Sequence, residues 1–312
     1  MILLIQYTLL FASVLMLVAL GGCFSEHSGV INLGLEGTMV MGALGGALTM
    51  KYMSGAYGPV IFFTVVLVSS LSGLAYSALL GVAGIRFGAD QTLVGTAMNM
   101  LAAALATVIV KSINVAENPD NVSSTVQYVQ AKKALVYRIK GFQFNWFTLV
   151  ALILLICSWI VLYKTRFGLR LMACGEHPQA ADSVGINVRK MRWAGVLISG
   201  FLAGLGGIVY ITAGVSEWKF ETGVAGFGFL SLAVMIFGQW KPVNIALAAL
   251  LFGFFRALSN VYSGFDFLAA LNLPGSVYNM MPYVISLIVL AFTSGNSRAP
   301  KAEGIPYDKS ER

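Results

Sequence analysis

The sequence predicts an all-α, polytopic integral membrane protein of about eight to ten transmembrane helices, with a trace of an inverted repeat. Three observations carry that expectation. Of the 312 residues, 58% are hydrophobic and only 11% charged, where a soluble domain carries roughly 25% charge. Mean hydropathy is +0.81. The charges collect in segments between apolar runs of about 20 residues, the length that crosses a bilayer. The net charge of +7 does not indicate nucleic acid, because the basic residues sit mainly in loops, where anionic headgroups attract them.

Residues 2–20 are apolar and uncharged and form the first span. Leu20-Gly21-Gly22-Cys23 looks like a lipoprotein cleavage box, yet no Lys or Arg precedes it. The positive start of a signal peptide is therefore lacking, and the span simply ends in small residues. Residues 24–28 are a short polar turn. The second span covers about 30–50, the third about 60–84, long enough to tilt, and the fourth about 92–110. Residues 111–141 form a polar connection outside the bilayer, with Glu117-Asn118-Pro119-Asp120-Asn121 and then Lys132, Lys133, Arg138 and Lys140. Alternation over 125–129 suggests a short strand there. The fifth span is about 144–163, the sixth about 193–213, and the seventh, rich in Gly and Phe, about 222–240. Lys241-Pro242 is a tight turn before the eighth span, about 243–262. After a loop with Pro274-Gly275, the ninth span covers about 277–293, and 295–312 are a polar tail.

Orientation follows from basic residues in short loops. The segment 164–192 carries Lys164, Arg166, Arg170, Arg189, Lys190 and Arg192 and is placed in the cytoplasm. Counting outward puts the Arg86 loop, the Lys241 turn and the C-terminus inside, and the N-terminus outside. The 111–141 connection falls outside despite its own basic residues.

The stretch 25–46 organises the chain. It is glycine-dense and carries Asn32-x-Gly34-x-Glu36-Gly37 at the start of a span. A carboxylate inside an apolar segment is costly unless it faces protein or water. Frequent glycines allow close helix packing and broken-helix geometry. Ser28-Gly29-Val30 followed by Gly34-Leu35 recurs as Thr222-Gly223-Val224 followed by Gly228-Phe229. The first opens a span running outward and the second a span running inward, as inverted repeats do. Glu36 then either orients a polar substrate or, as we favour, holds the broken helix through backbone N–H groups. Asn99, inside the fourth span, reads as an interhelical hydrogen bond. Gln239 is a weaker path candidate, and Trp240 fits an interfacial aromatic belt. Arg256 lies toward the outer end, where snorkelling to headgroups accounts for it. Gly42-x-x-x-Gly46 and Gly200-x-x-x-Gly204 read as helix-packing faces.

Enzymatic chemistry finds no support. Cys23, Cys157 and Cys174 have no paired spacing, His27 and His177 are far apart, and no metal site or disulfide framework follows. There is no Ser/His/Asp or Cys/His set, no close carboxylate pair in a span, and no phosphate-cradling Gly-x-x-x-x-Gly-Lys-Ser/Thr loop. If ATP drives this chain, another polypeptide hydrolyses it.

Within 164–192, Pro178 suits the first turn of a helix. Gln179-Ala180-Ala181 are good helix formers, and Gly185 suits a left-handed C-terminal cap. The prediction is a two-turn helix that needs a surface to pack on.

Two runs carry a resemblance. Gly29-Val30-Ile31-Asn32-Leu33-Gly34-Leu35-Glu36-Gly37 resembles the second-span signature of ABC-importer permeases of the branched-chain amino acid, ribose and nucleoside superfamily. The run from Gly168-Leu169-Arg170 through Gly175-Glu176-His177-Pro178-Gln179-Ala180-Ala181 is similar to that superfamily's coupling segment, which meets the ATPase. The likeness spans about residues 4–293 and looks nearest to the nucleoside-uptake branch, guanosine-type permeases included. It implies a single permease domain over 1–294, with 164–192 as its coupling segment, in the cell membrane of a prokaryote. It implies a second permease subunit in a heterodimer, an ATP-binding-cassette ATPase and an extracytoplasmic substrate-binding lipoprotein as partners, beside membrane lipid. No cofactor would be bound by this chain. Asn32, Glu36, Asn99, Gln239 and Arg256 are then candidates for the substrate path, and Glu176, Pro178, Gln179, Ala180, Ala181 and Gly185 for ATPase coupling. The alternatives are a permease for simple sugars such as ribose, and an ion-coupled carrier that works alone with Glu36 titrating.

Overall fold

The computed structural model describes residues 2–53, 55, 58–128, 136–139, 142–212, 217–265, 274–293 and 299–308. Lys132, Lys133 and Lys140, most of the 263–276 loop and residues 309–312 lie outside the described residues.

The first helix, α1 (Ile2–His27), is the central post. It is apolar all round, and from Leu10 to Glu26 every residue is buried, as such a helix must be. It does not end at the expected polar turn. The helix runs through Gly21-Gly22 to His27 because Cys23, Glu26 and His27 each find a protein partner there. Around it pack α8 (Val188–Ile211) and α10 (Pro242–Val261). On the other side of α8 lie α2 (Leu35–Tyr52) and α3 (Gly58–Leu80, continued by a π turn at Gly81–Arg86).

The α2–α3–α8 contact is made by glycine. A Cβ on Gly42 would run into the Cα and carbonyl of Gly204, and a Cβ on Gly207 into the carbonyl of Met39. A Cβ on Gly204 would lie 2.6 Å from the Ser69 carbonyl oxygen and 2.8 Å from Gly73 Cα. Ser69 Oγ stands in the crossing, 2.9 Å from the Gly42 carbonyl and 2.8 Å from that of Gly204. Both small-residue faces read from the sequence are thus helix contacts, where backbone approaches backbone.

The remaining helices are α4 (Gln91–Glu117), α5 (Trp146–Lys164), α6 (Arg166–Glu176), α7 (Pro178–Ser183), α9 (Phe227–Phe237) and α11 (Gly275–Thr293). Asp90 caps α4 by accepting from the Thr92 and Leu93 amides at 2.8 and 3.0 Å. That helix runs past the expected boundary near residue 110 to Glu117, so the outer connection starts late. The second span starts at Leu35 rather than 30, because 29–34 is a turn opened by Gly29 at φ +89°. Among the described residues six helices are long and apolar enough to cross a membrane, and α9 is a shorter apolar one. α3, α4 and α5 turn Phe63, Leu67, Met100, Val108, Leu152 and Ile156 outward, the exposure expected of lipid-facing helices.

The bundle has two distinct ends. At one, β1 (Thr125–Gln127) pairs antiparallel with β4 (Glu217–Lys219), Val126 opposite Trp218. Of the strand foreseen over 125–129, residues 125–127 form it and residue 129 lies outside the described residues; its partner comes from a linker with no visible alternation. Lys51 pairs with Glu117 there at 2.7 Å, and Lys219 and Lys111 hold the Glu221 carboxyl down to about 2. A second hairpin, β2 (Val136–Ile139) with β3 (Phe142–Asn145), precedes α5. At the opposite end gather His27, α6, α7, the start of α8, the turn at Trp240 and residues 299–308.

Candidate functional site

Two interrupted helices meet start to start in the core. α2 begins at Leu35 after the non-helical 29–34. α9 begins at Phe227 after a turn with Gly223, Ala225 and Gly226 at φ +57°, +53° and +80°. The first amides of a helix have no partner within it, and hydrocarbon offers no water. Glu36 supplies the partner: Oε1 accepts from the Gly226 amide at 2.8 Å and Oε2 from the Gly228 amide at 2.6 Å. The approach demands glycine at 228, since a Cβ there would lie 2.5 Å from both Cα and N of Glu36. The favoured reading of Glu36 as a helix holder matches this geometry, although the helix it holds is α9 and not its own.

Asn99 on α4 braces the other side of the junction. Its Oδ1 accepts from the Gly37 amide at 2.8 Å and its Nδ2 donates to the Leu33 carbonyl at 2.9 Å. Asn32, fully buried in the turn, donates to Ser199 Oγ on α8 at 2.9 Å. Its Oδ1 is buried with no hydrogen-bond partner among the described residues. Asn32, Glu36 and Asn99 are thus brought together around one helix start.

Arg256 is a correction. It does not snorkel. The guanidinium turns into the protein and stacks on the rings of Phe227 and Phe11, with centroids 5.3 and 5.9 Å away. The reason is geometric: Arg256 lies on the face of α10 that meets α1 and α9, so its shortest path leads to the α9 start and not to a headgroup. Gln239 is a second correction. It sits in the turn at the far end of α9, at φ +51°, and does not join the other four path candidates. Nor is Trp240 in an interfacial belt. It is 4% exposed, its Nε1 donates to Glu26 Oε2, and its carbonyl accepts from Cys23 Sγ and contacts His27 Nε2 at 3.0 Å.

The second site is the short helix α7. Pro178 occupies its first turn and Gly185 closes it at φ +84°, as expected from those residue types. The surface it packs on belongs to the same chain. Pro178 and Ala181 face inward, Ala181 against Cys174 and Val188 with Ile186, Met191 and Tyr307 alongside. Glu176, Gln179, Ala180 and Gly185 are exposed. Ala181 is therefore a seating residue and not an outward contact, because it falls on the side of the turn that faces α6 and α8. Sequence reading missed Val184 just beyond the helix, 74% exposed at the end of the bundle. The signal was there: an apolar residue between Ser183 and Gly185 in a polar segment.

The tail is the other feature not foreseen. The Ala302 amide donates to the Gly175 carbonyl at 2.8 Å, and the Gly304 amide to the Gly29 carbonyl at 3.3 Å. Arg192, counted above as a loop cation, is 1% exposed; its Nη1 donates to the Ile305 carbonyl at 2.8 Å and its guanidinium lies 5.9 Å from the Tyr307 ring centre. Glu303 faces Glu26, and burial pushes its carboxyl up from 4.5 to about 7. A carboxyl whose docked value is raised favours docking fully below its free value and loses that contribution as pH rises through the docked one. Docking of 299–308 should therefore weaken between about pH 4.5 and 7. Tryptic cleavage at Lys301, normalised at each pH to cleavage of an unstructured reference peptide, is expected to be faster at pH 8 than at pH 5. E303Q should flatten that dependence.

The geometry so far is that of a membrane bundle with a polar, glycine-built junction and a separate small helix displayed at one end. A family model described as "Branched-chain amino acid transport system / permease component" matches residues 4–292. The chain is 38% identical over 307 residues to the nucleoside ABC transporter permease protein NupC of Lactococcus lactis subsp. cremoris, covering 97% of this chain and 96% of that one. It is 38% identical over 309 residues to the guanosine ABC transporter permease protein NupQ of Bacillus subtilis, covering 98% and 96%. It is 24% identical over 276 residues to a second Bacillus subtilis guanosine permease, NupP, covering 87% and 75%. With a family match over nearly its whole length and relatives 38% identical over 97–98% of it, the chain belongs to the branched-chain amino acid transport permease family, as a multi-pass membrane permease.

Proposed function

We propose that this chain is one of two permease subunits of an ATP-driven importer for nucleosides. The single observation that carries the reading is full-length likeness, at 38% identity, to proteins named as nucleoside and guanosine permeases. That one organism holds two proteins named guanosine permeases, both similar to this chain, supports pairing with a different permease subunit. A separate ATPase hydrolyses the ATP, and a substrate-binding lipoprotein delivers the nucleoside from outside. Residues 164–192 and the tail face the cytoplasm, and the N-terminus faces out. Asn32, Glu36, Asn99 and Arg256 border the path; Gln239 does not. At the ATPase contact, Glu176, Gln179, Ala180, Val184 and Gly185 face the partner, while Pro178 and Ala181 seat the helix.

The test uses the complete importer. V184E puts a charge where an apolar residue is presented, without touching the inward face of α7. It is expected to lower co-purification with the ATPase and nucleoside uptake by at least about tenfold, as an interface anchor would, with the permease still in the membrane. Unchanged uptake and ATPase coupling would rule out the docking role. Reconstitution of this chain alone should give no gradient-driven uptake; uptake without ATP would favour the carrier alternative.

A further inference from the structure

Arg256 is a half-buried cation in the last turns of α10, set over Phe227, the residue between the two amides that Glu36 caps. Among the described residues no carboxylate pairs with it, and its Nε is buried without a hydrogen-bond partner. Rings surround it instead. Phe227 and Phe11 lie under the guanidinium. The Tyr210 ring of α8 lies against Phe227, tilted by 41° with centroids 4.3 Å apart. Tyr283 of α11 stands nearby and donates to the Ala225 carbonyl at 2.8 Å. The cluster sits where α9 starts, eleven helical residues and about 16 Å from the turn that holds Trp240, at 1.5 Å per residue. An ionisable residue held inside a membrane at such cost marks a functional point.

What such a point would bind is set by its parts. Guanidinium is planar, carries donors only, and matches two adjacent acceptors in one plane. Aromatic walls favour a flat π-system between them. A sugar alone offers no aromatic π-face and no pair of acceptors fixed in one plane. A 6-oxopurine offers both, with O6 and N7 side by side, whereas a 6-aminopurine presents a donor at position 6 that guanidinium cannot satisfy. We propose that Arg256 reads the base in transit and makes this permease prefer 6-oxopurine over 6-aminopurine nucleosides. The inference rests on the nucleoside reading above. In this structure Phe11 and Phe227 lie against each other, 5.6 Å between centroids, so a base reaches the guanidinium only when one of these rings moves aside.

The experiment measures initial uptake of labelled guanosine and adenosine by cells carrying the complete importer, normalised to permease in the membrane. R256Q replaces a donor pair with an amide, the partner of the 6-aminopurine edge. The guanosine-to-adenosine ratio is expected to fall by at least about tenfold, the usual worth of one bidentate base contact. R256K keeps the charge and loses the planar fork, and should lower the same ratio. The lipoprotein is unchanged across the series, so a shifted ratio reports the permease. If R256Q does not accumulate, the R256K ratio decides. A wild-type importer that takes up no nucleoside overturns the nucleoside reading and this proposal together. Wild-type nucleoside uptake with an unchanged ratio in the accumulating variants overturns this proposal alone.

Discussion

E36A is expected to abolish transport and to lower the amount of permease in the membrane. The carboxylate is the only described acceptor for the Gly226 and Gly228 amides, at 2.8 and 2.6 Å. Hydrogen bonds to a charged group contribute about 1.5–3 kcal/mol each, and an amide left open in hydrocarbon costs several kcal/mol. Losing both should cost about 3–6 kcal/mol, a large part of any folding margin. Uptake should fall at least a hundredfold, and thermal unfolding in detergent should shift clearly downward. E36Q separates two ideas. It keeps one acceptor but points an NH₂ at the other amide, so a capping role predicts loss of both stability and uptake. A role as titrating group of a carrier predicts intact stability with lost gradient coupling. Wild-type stability in E36Q would remove the cap from the account.

G204V should be at least as severe. The Cβ position at Gly204 is bounded by the Ser69 carbonyl and Gly73 Cα, and Gly42 meets Gly204 itself from the other side. These neighbours are backbone, which cannot rotate away as a long side chain would. Overpacking a filled interior costs about 1–3 kcal/mol even where side chains can shift, and here three helices would have to part. We expect about 3 kcal/mol or more, read as loss of membrane accumulation and of thermal stability. G55V, at an exposed glycine with open space around it, is the matched control and should behave as wild type. Normal accumulation of G204V would mean that the α2–α3–α8 crossing is looser than its geometry.

Much of this architecture is written in local pattern. Span positions follow from apolar runs, and the helix at Pro178 follows from a proline start and a glycine stop, each a property of a few neighbouring residues. Gly29 and Gly223, paired in the sequence as a weak repeat, both adopt positive φ ahead of a helix that starts in the core. What stayed hidden depends on contacts distant in sequence. Nothing near Arg256 says that Phe11 and Phe227 will stand beside it. Arg192 looks like any loop cation until residues 299–308 fold over it. The run of α1 through Cys23-Phe24-Ser25-Glu26 reads as a polar turn because the groups that satisfy it, Trp240 and the tail, lie more than two hundred residues away. Ala181 shows the same limit at small scale: composition makes it a helix former, and only the packing of α6 and α8 decides which way it faces.

The two fastenings of α9 have a mechanical consequence. Its first turn is clasped by Glu36, and the turn that ends it is held at Trp240 by Cys23, Glu26 and His27. Gly175, at the end of α6, abuts the carbonyl of His27. An eleven-residue helix tethered at both extremities acts as a connecting rod. The contacts from Gly175 through His27 and Trp240 along α9 to the rings around Arg256 thus form one unbroken packed line.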